Sequence, residues 1–146
     1  MATITSVQAT KAALTVSGLS TLASATYAPS NAYNVSTNKP VDVIVEIEAA
    51  TGTTPAGNKQ LVLFVVESLD GTNYQTGATG TTDEINATFL GTLPLPVITT
   101  TQRKSFSVLN ALGYMPQYYK IIVKNDLGVA LTSGVVYTAE ISTVVI

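Results

Sequence analysis

After Pro40 the chain alternates without a break: Val41, Val43, Val45 and Ile47 fall on one parity, Asp42, Ile44, Glu46 and Glu48 on the other. Successive side chains of an extended strand point to opposite faces. The segment therefore predicts a strand with one apolar face and one largely acidic face. From Leu61 to Val66 six consecutive positions are apolar, in a segment that ends at Ser68. A run this short predicts a central strand covered on both sides, or one that enters an interface.

The rest of the chain repeats the theme. Tyr119, Ile121 and Val123 alternate with Lys120, Ile122 and Lys124, Val135 to Ile146 reads as a long strand, and Ala12 to Val16 as a short one. Ile85 to Leu90 alternates weakly, and Asp70-Gly71 and Asn125 to Gly128 read as turns. Gly91 to Thr101 carries Pro94 and Pro96 among Leu93, Leu95, Val97 and Ile98. Proline cannot donate to a central ladder, so an edge or an extended loop is expected there. Ser105 to Leu112 predicts a strand running into one helical turn, with Ser107 as cap, Gly113 as stop and Pro116 forbidding continuation. Leu19 to Ala25 reads as a short helix or a loop, and Asn31 to Thr37 as a polar connection.

About a sixth of the residues are Thr, and Val is also abundant; both are β-branched and suit pleated, half-buried surfaces. The expectation is an all-β chain: residues 1–146 as one antiparallel β-sandwich domain of jelly-roll or immunoglobulin-like type, with seven or eight strands and little helix. Residues 1–11 are expected to form a mobile or interface arm.

Composition removes many functions. With no His and no Cys, there is no Ser-His-Asp triad, Cys nucleophile, zinc finger or disulfide framework. Seven basic residues face nine acidic ones, and the only basic neighbours are Arg103 and Lys104. No footprint for a phosphate backbone follows. No run approaches the roughly 18 apolar residues of a membrane span, and no export signal is visible. Neither nucleic acid nor a membrane is expected as a partner, no catalytic residue, cofactor or metal is assigned, and the chain is read as a non-enzyme. Only 11% of the residues are charged, against about 25% in an average domain. The surface is therefore built from neutral polar side chains, which suits a stable assembly.

Asp42, Glu46 and Glu48 share a strand face, which is read as solvated; if the strand carrying Lys120 and Lys124 is its neighbour, the charges pair across the ladder. Asp70, Asp83 and Glu84 form an acidic cluster near a Gly/Thr-rich loop, but without the spacing of a calcium loop, and turn capping by Asp70 is preferred. Tyr114, Met115, Tyr118 and Tyr119, beside Leu93, Leu95, Val97 and Ile98, are the candidate interface residues, because Tyr and Met give large contact area. Packing at a sandwich corner is the competing reading.

The segments Leu19 to Tyr27, Asn34 to Ile47, Lys59 to Val66 and Glu67 to Tyr74 (ESLDGTNY), then Thr76 to Gly80, Leu90 to Leu93, Phe106 to Val108, Met115-Pro116, Tyr119 to Asn125 and Gly128 to Leu131, resemble in this order small structural proteins of tailed bacteriophages. That resemblance implies a virion component with a β-sandwich fold, made in the host cytoplasm. The expected role is a capsid decoration or cement protein, oligomeric and bound to the major capsid protein or other virion proteins. A tail, collar or baseplate module, a carbohydrate or receptor-binding sandwich, and a self-assembling tube or fibril subunit are the alternatives.

Overall fold

The computed structural model describes residues 2–76, 86–96 and 100–146. Among them lie ten strands: β1 (Ile4–Gln8), β2 (Ala12–Leu14), β3 (Tyr27–Pro29), β4 (Tyr33–Asn34), β5 (Asp42–Thr51), β6 (Gln60–Ser68), β7 (Thr88–Pro94), β8 (Gln102–Ser107), β9 (Tyr118–Asp126) and β10 (Leu131–Val145). One short helix, α1 (Val108–Leu112), follows β8, and a 3-10 turn covers Leu19–Thr21. One sheet runs β1-β10-β5-β8 with β2 also on β10; the other runs β3-β9-β6-β7 with β4 also on β9. The pairings are antiparallel, so the chain is an all-β sandwich of two antiparallel sheets. Strands number more than the seven or eight expected because short stretches read as loops, such as Tyr33–Asn34, also join a ladder.

The core follows the parity of the strands. Val43, Val45, Ile47 and Ala49 of β5 face Leu61, Leu63 and Val65 of β6 and Tyr119, Ile121 and Val123 of β9 in one buried cluster. β6 is central in its sheet, and its other parity is also covered: Phe64 and Val66 join Tyr27 and Ile122 in a second cluster on the outer face. This explains the unbroken apolar run, since a strand buried on both sides shows no alternation.

Two close approaches hold the layers together. A Cβ on Gly91 of β7 would stand 2.2 Å from a ring carbon of Phe106 on β8, and one on Gly134 of β10 would stand 2.8 Å from Leu19. Glycine is present where another element takes the space of a side chain. The Ser105 to Leu112 expectation holds: the Ser107 hydroxyl accepts from the Asn110 N–H, and Gly113 closes α1 at φ +80°. Asp42 adds to this cap, accepting from the Leu109 N–H at 3.0 Å and from the Ser107 hydroxyl at 2.6 Å.

One expectation is corrected. β5 and β9 lie in different sheets, so Lys120 and Lys124 do not pair with Asp42, Glu46 and Glu48. Parity tells which face a charge occupies, but not which sheet the strand joins. Residues 4–8, within the stretch expected as a mobile or interface arm, form the ladder β1 with β10.

Candidate interaction surface

The arm is assembled from two distant stretches. β5 pairs with β10 as far as Asp42 opposite Ile141, and β2 reaches Thr138. Beyond that, Ser142 to Val145 have β1 as their strand neighbour: Val7 stands opposite Ser142, Thr5 opposite Val144 and Ile4 opposite Val145. Thr3 and Ile146 exchange backbone hydrogen bonds of 3.0 and 2.8 Å, closing the ribbon. Every residue of β1 is exposed. Ile4, Val7, Val144, Val145 and Ile146 are between 46% and 76% exposed, and no charged residue occurs from Ala2 to Thr10 or from Ile141 to Ile146. They fall on both faces of the ribbon, Ile4 with Val145 on one and Val7 with Val144 and Ile146 on the other.

The base of the ribbon is anchored where its tip is not. The Ala9 N–H donates to the Glu140 carbonyl at 2.8 Å. The Glu140 carboxylate accepts from the Tyr33 hydroxyl and from Asn38 Nδ2, each at 2.8 Å. Burial, reinforced by the Glu140 carboxylate, pushes the Tyr33 phenol up to about 12. Tyr33 in turn stacks on Tyr119, with ring centroids 5.2 Å apart.

The candidate interface residues divide. Leu93 and Leu95 are buried in the core, because they share a parity that points inward while Pro94 points out at the end of an edge strand. Tyr119 is fully buried, and burial pushes its phenol far up. None of the three has surface to offer, so their assignment as contact residues is corrected. Met115 is partly buried against the core. Val97 and Ile98 lie outside the described residues, as do Asp83 and Glu84. Tyr114 is 49% exposed and donates to Glu67 Oε1. Tyr118 is half-buried, its ring 3.1 Å from where a Cβ on Gly71 would stand, and its hydroxyl accepts from Gln117 at 2.9 Å.

Next to this corner the ESLDGTNY segment forms a self-closed turn. Asp70 accepts from the Thr72 and Asn73 N–H groups at 2.8 and 2.7 Å, from Asn73 Nδ2 at 2.8 Å and from the Ser68 hydroxyl at 2.9 Å. These donors, Asn73 foremost, hold its carboxyl well below the usual carboxylate range. Gly71 takes φ +77° in the turn and leaves the space of a Cβ to the Tyr118 ring. Leu69, at the tip, is 94% exposed. Sequence reasoning passed over Leu69, although an apolar residue inside a polar turn is a visible signal.

The acidic face of β5 is neutralised from unexpected partners. Lys11 lies 2.5 Å from Glu46 and 2.7 Å from Glu48, and Arg103 on β8 lies 3.2 Å from Glu48. The hydrogen bonds to Glu46 and Glu48 raise the Lys11 pKa, and the one from Lys11 lowers that of Glu48. Lys11 also sits 4.1 Å above the Tyr137 ring.

No protein-family model and no curated protein matches the chain. A solved structure described as "Family 16 Carbohydrate Binding Module-2" is similar at 15% identity and a TM-score of 0.36, over 84% of this chain and 73% of that one. A likeness of that extent says nothing about ligand or role.

Proposed function

We propose that this chain is a non-catalytic structural component of a tailed-phage virion, a decoration protein that binds neighbouring subunits of the assembled capsid shell. The observation that carries the reading is the ribbon of residues 3–8 and 141–146, a projection with no charged side chain and with exposed Ile and Val on both of its faces. Tyr114 and Leu69, exposed at the β6 and β9 end of the sandwich, offer a second contact. The resemblance of the ordered segments to phage structural proteins supports the same reading.

The carboxylates support a non-catalytic role. Asp42 caps α1, Glu46 and Glu48 pair with Lys11 and Arg103, and Glu67 accepts from Tyr114. Asp70 closes its turn, Asp126 accepts from Asn58 at 2.6 Å, and Glu140 holds Tyr33 and Asn38. Each described acidic residue thus has at least one local structural partner.

The mechanism is mass action. A protein that binds only the assembled lattice stabilises it by its binding free energy, multiplied over the copies bound. Imaging the native particle tests the assignment. On the order of hundreds of copies on the shell is the expected result, and about six or twelve copies confined to the tail, as cyclic tail symmetry would give, overturns it.

A further inference from the structure

The register of β1 with β10 fixes which of its backbone groups point outward. Thr3 exchanges backbone bonds with Ile146, and Ala9 donates to Glu140. In an antiparallel ladder bonded and non-bonded positions alternate, so Thr3, Thr5, Val7 and Ala9 direct their N–H and C=O groups toward β10. Ile4, Ser6 and Gln8 direct theirs outward, along an edge that no described strand covers.

Edges of this kind are usually protected by charge, proline or a bulge. Two other edges among the described strands follow that rule: β8 carries Arg103 and Lys104, and β7 ends in Pro94. β1 has none of these devices, and its register with β10 is unbroken. An unprotected edge is a place for another extended strand.

We propose that this strand is β1 of a second copy of the chain, paired antiparallel across a two-fold axis at Ser6. About that axis Ile4 meets Gln8 of the second copy, Ser6 meets Ser6, and Gln8 meets Ile4. The outward groups of one edge thus face the outward groups of the other, giving about six backbone hydrogen bonds. On the opposite face Thr5 meets Val7 in both directions. No like charges are brought together, because the edge carries none from Ala2 to Thr10. The result is one sheet running through both copies, β8-β5-β10-β1 followed by its two-fold mate, with the apolar ribbon faces of the two copies placed side by side. This pairing is independent of the shell reading, since it is a property of the isolated chain.

Because the chain has no cysteine, single substitutions report the register. Residues directly opposite at a bonded site have Cα atoms about 5.5 Å apart, within disulfide reach. Ser6→Cys is therefore expected to form a covalent dimer on mild oxidation, whereas Gln8→Cys, equally exposed on the same edge but four residues out of register with its own copy, stays uncrosslinked. Ser6→Pro removes an outward N–H without touching the β1–β10 ladder. It is expected to shift the full-length protein from dimer to monomer in sedimentation velocity while leaving its circular dichroism unchanged. A wild-type chain that sediments as a monomer at all concentrations, equal crosslinking of both cysteine variants, or a dimer indifferent to Ser6→Pro would each overturn the proposal.

Discussion

The Tyr33 hydroxyl donates to the Glu140 carboxylate at 2.8 Å, joining strand β4 of one sheet to β10 of the other at the point where the arm leaves the sandwich. Burial of the Tyr33 phenol, together with this bond, makes the protein sensitive to alkali. Tyr33 has its phenol pushed up to about 12 in the fold, against about 10 in an unfolded chain. Its contribution is therefore fully present below pH of about 10 and is lost as the pH rises through about 12. Spectrophotometric titration should show a phenol ionising late in the folded protein and lost from the late phase in Tyr33→Phe. That variant should be less stable by about 1 kcal/mol, the usual worth of one hydrogen bond.

Gly91 is the next test. With Phe106 in the space a methyl group would need, Gly91→Ala forces the ring off its rotamer or β7 away from β8. Overpacking of this sort costs about 1–3 kcal/mol, measurable as a lower midpoint of urea unfolding. The double variant Gly91→Ala with Phe106→Leu should recover part of the loss, since the ring that causes the clash is gone.

Asn125 is a buried polar residue that fastens two loops. Its Nδ2 donates to the carbonyls of Leu22 at 2.8 Å and Val129 at 2.9 Å, while its Oδ1 accepts from the Leu127 N–H at 2.9 Å. Asn125→Ala leaves these groups buried without partners and should destabilise by about 2–4 kcal/mol. Asn125→Asp should be worse at neutral pH, because it turns a carboxylate toward two carbonyl oxygens, and should improve on acidification. An Asp variant more stable than the Ala variant at pH 7 would contradict this account of the site.

Acid should weaken the fold through Asp70. Its carboxyl is held below the ordinary range by the N–H groups and side chains of its turn, so its contribution is present above the unfolded value of about 3.9 and is lost as the pH falls below it. Glu48, lowered by Lys11, acts in the same direction. Thermal unfolding followed from about pH 6 to about pH 2 should show a falling melting temperature, and Asp70→Asn should flatten that decline.

Much of the sandwich was legible in the sequence because it is written in local parity. The alternation of β5, the double burial of β6 and the Ser107 and Gly113 boundaries of α1 all depend on residues close in the chain. What escaped depends on residues far apart. The partner of β1 lies more than a hundred residues away, and Lys11 meets Glu46 and Glu48 only because β2 and β5 flank β10. Leu93 and Leu95 were misplaced for another reason: the intervening proline suggested a loop, although their shared parity already put both on one face.

The arm is the centre of the account, and shell binding tests it most directly. Purified protein added to capsid shells lacking it should bind saturably and raise the temperature at which the shells release DNA. A variant with Ile4→Ser, Val7→Ser, Val144→Ser and Val145→Ser removes much of the exposed apolar surface of the ribbon without changing its charge or the core. That variant should fold normally and lose at least about tenfold in affinity, about 1.4 kcal/mol of binding free energy. Undiminished binding and protection by the variant, or no binding of the wild-type protein to the shell, would contradict the account.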